Sequence, residues 1–297
     1  MTRLIELCCG CGALSLSLLG HRPVMPYMGS KLRYADAITS RCSMPTPDEV
    51  VLVDVGPWPR VLELLSTDAA ARIEVASILD QFCKADPREL FSHLVSSEVV
   101  PFDHWPAYHV AVFLTLQRWS YRAKPVRIVA GRWKHPGLSK SDAYGVQGSA
   151  TFGEVKPQLP TTARRVRAWP DLPVRGICED VRTVSLSRFV DGETWVYMDP
   201  PYSGTTGYTR NDMRRSDVLN VARRCRAAGA RVVVSEAAPL PLAGWDVVEI
   251  TTQRKGRRSS AQTREWLTAS PEVGLVGSRV PRRRPLDTRQ GSLWGAA

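Results

Sequence analysis

The residues Asp199-Pro200-Pro201-Tyr202 directly follow an apolar run, Thr194–Met198, that reads as a buried strand. Each proline fixes φ and lacks an N–H, so this turn exposes carbonyl oxygens with few competing donors, beside one carboxylate and one flat ring. Such a turn suits a planar group bearing an amino function. Pro-Pro alone is a common structural turn, whereas the whole tetrapeptide after a strand is a rarer combination. Upstream, Glu6-Leu7-Cys8-Cys9-Gly10-Cys11-Gly12 ends a first apolar strand in a glycine turn that leads into Ala13 to Leu19. Strand, glycine turn and helix open a Rossmann-like unit, and the free backbone N–H groups there can face the polar end of a cofactor. A second strand, Val50 to Val53, ends in Asp54, an acid placed to accept hydrogen bonds from ribose hydroxyls.

The elements that must hold these residues follow from periodicity. Tyr27-Met28-Gly29-Ser30-Lys31 leads into a helix with Leu32, Tyr34, Ala35 and Ile38 on its apolar side. Ser30 is placed to cap that helix, and Lys31 to bring a cation to a cofactor carboxylate. From Pro59 to Arg122 the pattern is helical and too long for one crossover, so it reads as an inserted helical region. His104 and His109 there read as core or surface residues rather than catalytic ones. Lys124 to Gln158 mixes Gly131, Gly137, Gly145, Gly148 and Gly153 with Trp133, Tyr144, Phe152 and several cations. A long segment of that composition favours nucleic-acid contact.

The α/β alternation resumes with a helix over Thr161 to Trp169, a strand over Val174 to Cys178 ending in Glu179 and Asp180, and the strand that precedes Asp199. Ser203 to Arg215 reads as a polar flap. A helix over Ser216 to Ala228, a strand over Arg231 to Ser235 and two closing strands follow, the last two separated by the basic segment Arg254 to Arg258. The expected organisation is a first catalytic part at 1–58, an insertion at 59–160, a second catalytic part at 161–270 and a basic, disordered tail at 271–297.

The chain has 297 residues, 43% of them hydrophobic, with 40 Lys and Arg against 29 Asp and Glu, a formal net charge of +11. That balance excludes a disordered acidic protein and points to a polyanionic partner. Seven cysteines, an odd number, do not form a disulfide framework, and a reducing cytoplasmic setting is expected. The Cys8, Cys9 and Cys11 cluster has no second pair at finger spacing, so no metal is expected. Glu6 inside the first apolar run argues against a secretory leader, and no run approaches membrane-spanning length.

On the glycine turn, the Tyr27 to Lys31 segment, Asp54 and Asp199 to Tyr202, the sequence resembles the Dam-like class of S-adenosylmethionine-dependent adenine-N6 DNA methyltransferases, in a phage-like style. Thr263-Arg264-Glu265-Trp266-Leu267 near the end fits the same style. Cys8 stands where that family usually has an aromatic residue, and Tyr27 to Lys31 follows the glycine turn where the family usually places it before. The resemblance implies an α/β Rossmann-like methyltransferase sheet with helices on both faces and an inserted target-recognition region. It implies S-adenosyl-L-methionine held by Glu6, Cys8, Gly10, Gly12, Tyr27, Lys31, Asp54 and Asp180. It further implies a base flipped from double-stranded DNA, with Asp199 and the Pro200 carbonyl accepting its amino protons and Tyr202 stacked on its ring. A monomer or weak dimer with no membrane partner is expected. Cytosine, RNA adenine or a catalytically inactive DNA-binding role stand as alternatives.

Overall fold

A computed structural model describes residues 1–25, 30–120, 124–135, 158–191, 193–201, 213–253 and 262–277. Tyr27, Tyr202, most of the expected flap, the Arg254 to Arg258 segment, the glycine-rich part of the insertion and the tail beyond residue 277 lie outside the described residues.

The first buried run forms β1 (Arg3–Leu7), and the next two elements are α1 (Ala13–Leu18) and α2 (Ala35–Cys42). Then come β2 (Glu49–Val53), α3 (Trp58–Thr67), α4 (Ala69–Phe82), α5 (Pro87–Ser96) and α6 (Ala107–Arg118). A short antiparallel hairpin, β3 (Arg127–Val129) and β4 (Arg132–Lys134), lies inside the glycine-rich Lys124 to Gln158 segment, for which the sequence suggested no strand. Ala130 and Gly131 both adopt positive φ at its tip, and this turn is what the composition alone concealed. The remaining elements are α7 (Gln158–Arg167), β5 (Val174–Ile177), β6 (Thr194–Met198), α8 (Arg215–Ala227), β7 (Arg231–Glu236), β8 (Asp246–Gln253) and β9 (Gln262–Ala269).

Seven strands make one sheet in the order β5-β2-β1-β6-β7-β9-β8. The first five are parallel, and β9 enters antiparallel between β7 and β8. This is the expected Rossmann-like sheet, and the strand order reverses at β1, where the chain leaves the β1, β2, β5 side and returns as β6. Ligands in such sheets bind at the carboxyl ends of the strands beside that reversal. Strands buried on both faces read as continuous apolar runs, as Val50 to Val53 and Val232 to Val234 do.

The two faces are covered unequally. One carries α1 through α7 in a single core that joins Leu4, Val50 and Trp195 of the sheet to Trp58, Leu79 and Phe113 of the helices and Trp105 of the connection before α6. The helices between 59 and 122 therefore share the sheet's core and have none of their own. The other face packs Ile5, Val51, Val196 and Val234 against α8 and the Val181 to Phe189 connection. No helix among the described residues is long and apolar enough to cross a membrane.

Two local expectations are corrected. Leu32 is 39% exposed, because Lys31 and not Leu32 turns inward from the 3₁₀ turn Lys31–Arg33. Pro271 to Gly277, assigned to the tail, is packed: Val273 and Leu275 are buried, and the Val276 N–H donates to the Arg41 carbonyl on α2. Val273 and Leu275 are the apolar side chains that this segment removes from water.

Candidate active site

The glycine turn is built from alternating backbone handedness. Cys8, Gly10 and Gly12 all have positive φ, and Cys8 adopts it without the steric freedom of glycine. At Gly12 two constraints meet, since an added Cβ would also come within 2.9 Å of Leu62 on α3. The turn closes through the Gly12 N–H to the Cys9 carbonyl and then starts α1, whose Leu16 N–H bonds to the Gly12 carbonyl. Cys9 and Cys11 are buried in the core as small apolar residues. Cys8 is half-buried, its thiol 3.6 Å from the Met213 sulfur. Burial, then Asp54, Asp199 and Asp180, push that thiol's pKa well up, so Cys8 stays protonated among three strand-end acids.

Each acid is fixed differently. Asp54, one residue beyond β2, accepts the Gly10 N–H at 3.0 Å through Oδ2 and the Gly56 N–H at 2.9 Å through Oδ1. Burial raises its pKa, and these backbone donors oppose the rise. Glu6 accepts both the backbone N–H of Ser15 at 2.9 Å and its hydroxyl at 2.5 Å, which ties β1 to the first turn of α1. Burial pushes the Glu6 carboxyl up to about 7 despite these bonds. Asp180 forms a bidentate pair with Arg182, and the Arg182 bond holds its carboxyl below the usual range.

Asp199 follows β6 and stays in register through its N–H to the Leu7 carbonyl of β1. Its Oδ1 lies 2.8 Å from the Lys31 ammonium, which is also 3.2 Å from Glu265 Oε1 on β9. The Ser235 hydroxyl on β7 donates to that same Oε1 at 2.8 Å. Burial opposes the charge on Lys31, but Asp199, Tyr197 and Glu265 outweigh it and its pKa rises. Burial raises Asp199, with Lys31 pulling the other way, and pushes Glu265 up to about 7. The lysine expected at a cofactor carboxylate is thus committed to two protein carboxylates. Its ammonium is carried inward because Ser30 caps the turn, accepting the Leu32 N–H at 3.4 Å.

The alternation of strand side chains puts these groups in one row. Glu6 pairs across from Tyr197, and Ser235 and Glu265 continue the same face over β7 and β9. All four are buried, at 3%, 0%, 0% and 4% exposure, on a face otherwise lined by apolar residues. Glu265 stands in the Thr263 to Leu267 stretch without an expected role, and Ser15 and Ser235 are additions to the expected site. The signal was available for Glu265: it shares its parity with Leu267 and Ala269, which marks an acid pointing into a core.

The structure therefore brings together Glu6, Cys8, Gly10, Gly12, Lys31, Asp54, Asp180, Asp199 and Pro200 at the carboxyl ends of β1, β2, β5 and β6. An open surface depression lined by Arg223, Arg226, Leu242 and Trp245 lies at the C-terminal end of α8, the opposite end of the sheet. Among the described residues no group of three or more His, Cys, Asp or Glu side chains is placed to hold a metal ion.

No family model matches the chain, and no curated protein matches it. Among solved structures it is similar to the rRNA methyltransferase aviRa from Streptomyces viridochromogenes, at 17% identity and a TM-score of 0.34, over 92% of this chain and 78% of that one. At that TM-score the superposition carries no weight, and the fold assignment rests on the strand order.

Proposed function

We propose that this chain is an S-adenosylmethionine-dependent methyltransferase that modifies the exocyclic amino nitrogen of an adenine flipped out of double-stranded DNA, at specific sites. The observation that carries the reading is the placement of Asp199. Its carboxylate sits at the end of the central strand, one strand from the glycine turn, with one oxygen on Lys31 and two prolines following it.

The residues fit the cofactor by the chemistry of their donors and acceptors. Asp54, oriented by the Gly10 and Gly56 N–H groups, is a half-buried carboxylate of the acceptor chemistry that ribose hydroxyls require. Asp180 offers a further acceptor at the end of β5, already oriented by Arg182. When bound, S-adenosylmethionine supplies a methyl group on a cationic sulfur.

The exocyclic nitrogen of adenine is a weak nucleophile, because its lone pair is delocalised into the ring. Asp199 Oδ2 and the Pro200 carbonyl accept its two N–H bonds and draw the nitrogen toward tetrahedral geometry. Lys31 holds Oδ1 and so fixes the plane of the carboxylate. So held, the nitrogen would present its lone pair to the methyl group that the cofactor would supply, and Asp199, Pro200 and Lys31 would keep that approach aligned. Positive charge gathers on the nitrogen beside Asp199, which stabilises it, and a proton leaves to solvent. Tyr202 stacks on the base in this scheme. Cations hold phosphates without reading sequence; Arg132 and Lys134, exposed on the β3–β4 hairpin, are candidates, as is the net charge of +11.

Modification-sensitive sequencing of DNA from cells expressing the intact chain or Asp199→Ala tests the proposal. N6-methyladenine at a recurring motif, lost in the variant, is expected. Modified cytosine, modified RNA alone, or marks that persist in Asp199→Ala would each overturn it.

A further inference from the structure

Glu265 is the buried charge that methyl transfer does not yet use. We propose that it is a positioning residue whose negative charge, shared with Asp199 across Lys31, keeps the site net anionic and tunes it for a sulfonium cation over the neutral thioether product. The inference rests on the methyltransferase reading above.

Lys31 stands between two carboxylates, 2.8 Å from Asp199 and 3.2 Å from Glu265. With Asp199 alone the pair would be neutral, and the ammonium would draw electron density from the oxygen atoms that must accept the amino protons. With Glu265 ionised the three groups sum to −1. Lys31 then divides its pull, and Asp199 remains a strong acceptor. Ser235 keeps Glu265 in place by donating to the same oxygen that faces Lys31. Retaining an acid 4% exposed on an apolar sheet face is costly unless its charge is used, since an apolar residue would pack there without desolvation. A net negative site favours a cationic donor before transfer and loses that preference once the methyl group has gone, which aids product release.

The charged and titratable groups around Glu265 are Lys31 from the 3₁₀ turn, Tyr197 from β6, Asp199 just beyond it, and Glu236 from β7, with Glu6 on β1 in the same row. Burial pushes the carboxyls of both Glu265 and Glu6 up to about 7.

The test measures the dissociation constants of S-adenosylmethionine and S-adenosylhomocysteine by calorimetry on the full chain at pH 8. Glu265→Gln is expected to shift their ratio by about tenfold toward the thioether, the scale of one unit charge acting over roughly 10 Å at an effective dielectric near 20. Glu265→Asp, which restores the charge, is expected to recover most of the ratio. A purely structural role would weaken both ligands together and leave the ratio unmoved, which would overturn the inference. Should Glu265→Gln fail to fold, the intact chain supplies the same readout, because lowering the pH through about 7 protonates Glu265 and should shift the ratio the same way. Repeating that titration in Glu6→Gln separates the two acids: a shift that vanishes there belongs to Glu6 and overturns the inference. An intact chain that binds neither ligand refutes the methyltransferase reading itself and this inference with it. Binding with an unchanged ratio refutes the inference alone.

Discussion

The site contains two kinds of buried or half-buried acid. Glu6 and Asp54 are held by backbone N–H groups and a hydroxyl, from residues 9, 44 and 2 positions away. Asp199 and Glu265 are held by one ammonium, which joins a turn near the N-terminus to β6 and β9. Dipoles from the backbone orient an acid without cancelling its charge, whereas an ammonium both orients and neutralises. The first pair suits hydrogen bonding to neutral hydroxyls. The second suits a place where charge must be balanced and then change during a reaction.

Removing the shared cation is the harshest way to break that contrast. Lys31→Met strands one buried carboxylate, Glu265, and one half-buried carboxylate, Asp199, and a loss of about 3–5 kcal/mol in urea unfolding at pH 8 is expected. The loss should shrink at pH 5, where the unpaired carboxyls take up protons. A change below about 1 kcal/mol would mean the pair is not buried as described.

Gly12→Ala attacks the backbone-held half. It imposes a Cβ at φ +63 and 2.9 Å from Leu62, and a cost of about 1–3 kcal/mol is expected. Cofactor binding should weaken with it, as read by calorimetry.

Glu6→Gln sharpens the comparison through pH. The folded Glu6 carboxyl is raised from 4.5 to about 7, so the native state holds a proton that the unfolded chain has lost between those values. Its favourable contribution is complete below about 4.5 and is lost as pH rises through about 7. Gln keeps an acceptor for Ser15 and has no such loss. The variant should therefore gain on the order of 1–3 kcal/mol relative to the intact chain between pH 5 and pH 8, read by urea unfolding. A flat difference across that range would contradict it.

Asp180→Asn should have the smallest effect on stability, within about 1 kcal/mol, because the Asp180 and Arg182 pair is partly solvated.

These contrasts also mark how far the sequence was legible. In β2 and β6 the apolar runs Val50 to Val53 and Trp195 to Met198 are unbroken, and the acids that follow them, Asp54 and Asp199, stand out at the first polar position. Gly10 and Gly12 announce their turn because only a few residue types accept positive φ. The Lys31 bridge was not legible, since its partners lie 168 and 234 positions along the chain and nothing local encodes which strand will lie beside β7. The antiparallel entry of β9 between β7 and β8 decides that, and it places Glu265 under Lys31. The β3–β4 hairpin escaped because its strands are three residues each, too short for alternation to register. Docking of Pro271 to Gly277 escaped because basic composition masked Val273 and Leu275.

The most direct test incubates the purified chain with S-adenosylmethionine carrying a tritiated methyl group and unmodified double-stranded DNA, then digests the product to nucleosides. Label on N6-methyldeoxyadenosine is expected from the intact chain. Asp199→Ala should lower it by about two to three orders of magnitude, the scale of one preorganised electrostatic partner, with cofactor binding retained. Label that is absent from adenine, or that is undiminished in Asp199→Ala, would contradict the assignment.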